Sequence, residues 1–323
     1  MNNINITFKS ILADILKGYI EEKQAVGYKY HKEARTLRRF DKFCISVNHD
    51  KESLTKELVL EWCQKQEHEK TSNQKTRISL LRCLAVYMVR LGFDAYIYPV
   101  GINKVIEYGY KPYIFSENEI AKLLIEADRL KPDPASSYRH IVLPLLFRIL
   151  YGCGLRISEA LLLQVRDVNF NKGTLLIREA KLNKDRIVPV HRKMCESLGV
   201  YTQRIHAFSK PEDIFFPSSH GGRYNNGRIY DYFRRLIWEA GISHGGRGKG
   251  PRLHDIRHTF AVHCLKKWVK ESADLTVVLP YLSAYLGHVG LKSTQHYLRL
   301  TAELYPDIVS AVESEFSHII PEV

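Results

Sequence analysis

The stretch Leu253-His254-Asp255-Ile256-Arg257-His258-Thr259-Phe260-Ala261 sets an imidazole and a guanidinium three positions apart. On a helix, that spacing puts His254 and Arg257 on one face. Ile256, Phe260 and Ala261 can then turn toward a core. A permanent cation beside a group that exchanges protons near neutrality suits an anionic substrate undergoing proton transfer. Elsewhere Arg156 follows Gly152-Cys153-Gly154-Leu155, a glycine-flanked turn into a helix. Lys181 and Lys184 fall between two apolar runs, and His288 follows Leu286-Gly287, nine positions before Tyr297. Each of these has a plain reading when taken alone. An arginine is at home on a surface, hairpin lysines keep a sheet edge soluble, and one of 19 tyrosines near His288 is expected by chance.

The elements that must position these groups are mostly helices. Ile11, Leu12, Ile15, Leu16, Tyr19 and Ile20 recur at helical spacing until Gly27. Leu37, Phe40 and Phe43 mark a second helix, which carries Arg35, Arg38 and Arg39. Thr55 caps a third with Leu58, Val59 and Trp62. A fourth holds Ile78, Leu81, Leu84, Ala85, Met88 and Leu91 before Gly92, and its other side bears Lys75, Arg77, Arg82 and Arg90. Basic residues on one side of such a domain can hold phosphates, though for any single one a solvated face is the commoner role. The two prolines that bound 99–112 mark a linker. Domains of 1–98 and 113–323 follow from it.

In the second domain, Ser116 and Glu119 form a capping box at a helix start. The apolar run from Ile141 to Tyr151 is a core helix that Pro144 either kinks or enters near its start. Thr174–Arg178 and Arg186–Val190 read as two strands of a hairpin. Ile229, Phe233, Leu236, Ile237 and Ala240 mark a helix stopped by Gly241. The glycines at 245–250 do not form a phosphate-binding P-loop, because Lys249 precedes Gly250 rather than Ser or Thr and no strand comes before them. A C-terminal stripe of Ile308, Val312 and Phe316 follows Pro306 and needs a surface to cover it.

The 323 residues allow two domains with a core in each. A net charge of +13 points to a polyanionic partner, most often nucleic acid. No apolar run reaches a membrane span and no secretory signal opens the chain, so a cytosolic protein is expected. The six cysteines form no C-x-x-C pair, which argues against a zinc ribbon and for reduced thiols.

Arg156 in GLRISE, Lys181 in a hairpin, His254 and Arg257 in HDIRH, His288 in LGH and Tyr297 together resemble the tyrosine recombinase, or phage integrase, family. All six positions of that family's active-site set are filled in order. The resemblance is strong over about 113–300 and weaker before it, and the segment from Lys266 to Tyr281 looks longer than usual. It implies a mainly α protein: a helical, SAM-like core-binding domain, and a mostly helical catalytic domain with a small antiparallel sheet. It also implies site-specific cleavage and rejoining of double-stranded DNA at paired sites in the bacterial cytosol or nucleoid, by a homotetramer that is a monomer or weak oligomer off DNA. The C-terminal stripe is expected to dock on a neighbouring protomer.

The residue types fit that chemistry. Arg156 and Arg257 stay cationic and fork onto phosphate oxygens. A phenol with a pKa of ~10 needs a base, for which His254 is the candidate. The resemblance gives Lys181 the leaving 5′ oxygen and His288 a non-bridging oxygen. It implies a 3′-phosphotyrosyl intermediate with no metal, cofactor or ATP. Arg35, Arg38, Arg39, Lys75, Arg77, Arg82 and Lys184 are the candidate DNA contacts. Two other readings are a regulator that binds DNA without cutting it and a type IB topoisomerase. A zinc protease site at His254-Asp255-Ile256-Arg257-His258 would need Glu at 255 and would leave Arg156, Lys181 and Tyr297 idle.

Overall fold

The computed structural model describes residues 6–100, 111–178, 185–246 and 249–288, together with Tyr297. Residues 101–110 of the expected linker, the hairpin tip with Lys181 and Lys184, and the tail stripe at Ile308, Val312 and Phe316 lie outside the described residues. The chain divides into two compact units, Met1–Gly109 and Tyr110–Val323.

The first unit contains four helices among its described residues: α1 (Ala13–Ala25), α2 (His31–Ser46), α3 (Lys56–Cys63) and α4 (Thr71–Arg90). Leu12, Leu16, Tyr19, Leu37, Phe40, Val59, Leu81, Leu84 and Met88 are buried in one shared core. Ile11 and Leu91, although in phase with these stripes, stay largely exposed. Thr55 caps α3, its hydroxyl accepting from Leu58 N–H at 3.3 Å. The buried Asp41 carboxylate on α2 accepts the backbone N–H groups of Lys9 and Ser10, which pins the segment before α1.

The second unit opens with α5 (Glu117–Asp128), started by the expected capping box: Ser116 Oγ accepts from Glu119 N–H, and the Glu119 carboxylate accepts from Ser116 N–H at 2.7 Å. Then come α6 (Arg139–Gly152) and α7 (Ile157–Leu162). A three-stranded antiparallel sheet follows, β1 (Val168–Asn169), β2 (Thr174–Ile177) and β3 (Arg186–Pro189), in the order β1-β2-β3. The register pairs Ile177 with Arg186, so the described part of the hairpin ends beside Arg186. The remaining helices bounded among the described residues are α8 (Arg192–Ile205), α9 (Asn226–Glu239), α10 (Asp255–Lys270) and α11 (Leu275–Leu286). Pro144 sits in the second turn of α6, near its start. Helix α6 is buried along most of its length and packs against α5, α8 and α10.

The fold of the described residues is therefore mainly α with one small antiparallel sheet, as the resemblance implied. The long connection from Lys266 to Tyr281 is accounted for: α10 continues to Lys270, a short turn follows, and Asp274 caps α11 with its carboxylate. No described helix is long and apolar enough to cross a membrane.

Candidate active site

Three segments of the second unit meet around one guanidinium. Arg257 lies in the first turn of α10 and is 2% exposed. Its Nη1 donates to the carbonyl of Gly154 at 2.8 Å, and its Nη2 to the carbonyl of Leu286 at 2.5 Å. The first bond holds the turn that leads into α7, and the second holds the end of α11. Arg156 is the N-cap of α7, two residues past Gly154. His288 follows Gly287, which closes α11 in the left-handed conformation at φ 64°. One buried side chain thus fixes the backbone that carries two further candidate residues, and the chain separations of 103 and 29 residues show how non-local this is.

Tyr297 is 3% exposed, and its hydroxyl is hydrogen-bonded to Arg257. Burial raises its pKa above the usual phenol value, while the Arg257 charge and hydrogen bond, and the Arg156 charge, oppose that rise. The tyrosine ring stacks on His288, with centroids 5.8 Å apart and planes 21° from parallel. His258 faces the tyrosine ring at 5.5 Å and the His254 ring at 4.8 Å. His258 thus contacts both the expected base and the expected nucleophile. The sequence showed it only as the second histidine of HDIRH.

His254 is the N-cap of α10 and is exposed to solvent on its outer side. Crowding by the protein on its inner side, followed by the charges of Arg257 and Arg156, pushes its pKa down to about 4. It is therefore neutral at physiological pH and able to accept a proton. Burial also lowers the Arg257 pKa, with help from Arg156, to about 10, which leaves that guanidinium charged near neutrality.

The site contains two groups that the sequence did not mark for chemistry. Glu159, one turn into α7, accepts from Arg156 Nη1 at 2.7 Å and from the Arg156 backbone N–H at 2.9 Å. Arg186, the first residue of β3, donates to both Glu159 oxygens at 2.9 and 2.8 Å. Burial alone would raise the Glu159 pKa, but Arg186 and then Arg156 carry it down to about 2. Arg257 Nη1 lies 3.8 Å from the same carboxylate. Three guanidiniums around one carboxylate leave an excess of positive charge, which suits a phosphate-bearing ligand.

Comparison with known proteins agrees with this arrangement. The profile of the Phage integrase family matches residues 114–303. A putative integrase/recombinase, y4rB, of Sinorhizobium fredii is 32% identical over 94% of this chain and 98% of its own length. The chain belongs to the phage integrase family of tyrosine recombinases. Another relative of this recombinase, tyrosine recombinase XerA of Pyrococcus furiosus, is 29% identical over 68% of the chain and 71% of that protein. The fold is shared with the XerH site-specific recombinase bound to palindromic difH substrate (TM-score 0.64, 20% identity, covering 92% of this chain and 84% of XerH). It is also shared with the Tn1549 transposon integrase in complex with transposon right-end DNA (TM-score 0.62, 15% identity, covering 90% and 99%).

Of the recombinase's six expected catalytic residues, the structure gathers Arg156, His254, Arg257, His288 and Tyr297 through the contacts above, while Lys181 lies outside the described residues. The expected DNA-contact set divides. Arg35, Arg38 and Arg39 are exposed on α2. Arg35 and Arg39 line, with Lys32, a groove of about 810 Å³ bordered by α2, α4 and the turn at Gln66–Glu69. Lys75 and Arg82 are half-buried. Arg77 corrects the expectation: it is 3% exposed, paired with the buried Glu69 at 2.7 Å, and donates to the carbonyls of Trp62 and Gln64. Those bonds use its guanidinium to hold α4 against the end of α3, and its side chain borders the same groove from below. The signal was available, since Arg77 is in phase with Leu81, Leu84 and Met88 on the apolar stripe.

Proposed function

We propose that this recombinase cleaves and rejoins DNA strands at specific sites through a covalent bond to Tyr297. The observation that carries the reading is the convergence on Tyr297: its hydroxyl is bonded to Arg257 and feels the Arg156 charge, and its ring stacks on His288. A DNA phosphodiester placed there would meet a nucleophile and two guanidiniums together. The Tyr297 oxygen forms a bond to phosphorus, and the bond from phosphorus to the 5′ oxygen breaks. The phenol proton passes to the neutral His254, directly or by way of His258, and Lys181 protonates the departing 5′ oxygen. Arg156, Arg257 and His288 hold the non-bridging oxygens as charge builds on them. A free 5′-hydroxyl from a second duplex then reverses these steps. The phosphotyrosyl ester conserves the bond energy, and the guanidiniums supply the charge, so the scheme requires neither ATP nor a metal.

The same reading assigns the exposed arginines of α2 to the phosphate backbone and paired sites to a tetramer. The likeness to proteins named as integrases and as a transposon integrase favours movement of a mobile element. The test uses nicked duplexes tiled across the DNA that flanks the recombinase's own gene. A protein–DNA adduct that survives denaturation, maps to a 3′ end and disappears in Tyr297→Phe is the expected result. Retarded complexes without any adduct would instead indicate a regulator that binds but does not cut. Relaxation of a plasmid by single protomers would indicate a topoisomerase.

A further inference from the structure

Resting on that reading, we propose that Arg186 is a positioning residue for strand cleavage: it engages the Glu159 carboxylate so that Arg156 remains available to the phosphate. All three of its donor nitrogens are committed. Nη1 and Nη2 span the two oxygens of Glu159, and Nε donates to the carbonyl of Tyr285 at 2.9 Å. Its side chain is 11% exposed, that of Arg156 is 25% exposed, and that of Glu159 is 6% exposed. The order of exposure places Arg156 outermost, with Arg186 and Glu159 behind it.

The charge balance makes this arrangement consequential. Arg156 makes a single side-chain bond to Glu159, through Nη1, at the oxygen that Arg186 Nη1 also reaches. Two parallel bonds from a guanidinium are the strongest pairing a carboxylate can make, so Arg186 takes the larger share of the Glu159 charge. Without it, a buried carboxylate would be left to Arg156, with Arg257 3.8 Å away, and would compete with DNA for both. The backbone is shaped for Arg186 as well. A Cβ on Gly287 would lie 3.0 Å from Arg186 Nη1 and 3.2 Å from its Cδ and Cζ, so the turn before His288 is packed directly on this side chain. Arg186 also begins β3, which pairs with β2, so it ties that sheet to the α7 and α11 ends of the site.

The test measures single-turnover adduct formation and DNA affinity separately, on a nicked duplex that the unmodified recombinase cleaves. Arg186→Gln is expected to slow cleavage by ~10–100-fold, the scale seen for outer-sphere partners of a reactive site, with affinity changed less than about threefold. Adding Glu159→Gln to it removes the stranded charge and is expected to recover part of the lost rate. Arg186→Lys keeps a cation beside Glu159 but loses the two-point pairing, and is expected to slow cleavage less than Arg186→Gln does. An unchanged rate in Arg186→Gln overturns the inference, and so does a double variant as slow as Arg186→Gln. If Arg186→Gln does not fold, Arg186→Lys decides: a slowed rate that Glu159→Gln partly restores supports the inference, and an unchanged rate, or a slowed one that Glu159→Gln does not restore, overturns it. Absence of any adduct with the unmodified protein would count against the proposed function instead.

Discussion

Gly154 and Phe260 are packed so closely that a Cβ on the glycine would lie 2.4 Å from the phenylalanine Cδ1. The glycine also holds φ at 57°, in the left-handed region. Phe260 cannot easily move aside, because its ring stacks on Tyr285 with centroids 5.7 Å apart. This contact lets α10 approach the turn before Arg156, and it places the Gly154 carbonyl within reach of Arg257.

Gly154→Ala is therefore expected to destabilise the catalytic unit by ~2–4 kcal/mol, combining left-handed backbone strain with overpacking. Urea titration measures this directly. A stability within about 0.5 kcal/mol of the unmodified protein would show that the packing is looser than the distances imply.

Arg257→Lys tests the hub. A lysine keeps the charge but cannot serve the carbonyls of Gly154 and Leu286 and the Tyr297 hydroxyl from one planar group. Adduct formation is expected to fall by at least ~10²-fold, with a loss of stability as well, since two buried carbonyls lose their donors. A cleavage rate within tenfold of the unmodified protein would mean that charge alone suffices.

The helices and their caps were legible because each is a local pattern. The stripe on α1, Thr55 before α3 and the Ser116–Glu119 box all lie within a few residues of what they control. The candidate site was legible for a different reason: its residue types are rare in combination and keep a fixed order along the chain. Glu159 and Arg186 were not legible as a pair, because they stand 27 residues apart on a helix and a strand where either charge reads as surface. Arg77 was misplaced for a similar reason. Its charge suggested solvent and outweighed its phase with Leu81, Leu84 and Met88, and the contact with Glu69 and the α3 carbonyls shows what receives that charge.

His254 is expected to remain neutral well below the ordinary histidine range. Its pKa is pushed down to about 4 by crowding on its inner side and by Arg257 and Arg156, against 6.5 for the free side chain. In the DNA-free protein labelled at histidine, NMR titration should give a midpoint for this ring below about pH 5.5, assigned by loss of the signal in His254→Gln. A midpoint at or above 6.5 would remove the argument that the ring is ready to accept a proton.

Glu159 shapes the acid limb of stability. Its folded pKa of about 2 lies below the ordinary carboxylate value of 4.5, so the unfolded chain takes up this proton first as pH falls. The stabilisation is present in full above pH 4.5 and is lost between 4.5 and about 2. In urea unfolding across that window, Glu159→Gln should show a shallower decline than the unmodified protein. An identical slope in the two would indicate that Glu159 is not held ionised by Arg186 and Arg156.

Arginines of the first unit should separate by what they touch. Arg77 is enclosed with Glu69, stacks over the Trp62 ring at 5.0 Å and supplies donors to the α3 end. Arg77→Ala leaves a buried carboxylate and two carbonyls without that partner, so a loss of ~3–5 kcal/mol is expected. Arg35, Arg38 and Arg39 are exposed and are expected to change stability by less than about 0.5 kcal/mol when replaced by Ala. If they bind phosphates, each removal should weaken DNA binding and reduce the slope of log affinity against log salt by ~0.9. Binding measured from low to moderate salt, beside urea unfolding of the same variants, distinguishes the two classes. A salt slope unchanged in the triple variant would move the DNA-contact surface away from α2, and a stable Arg77→Ala with a reduced slope would restore Arg77 as a phosphate contact.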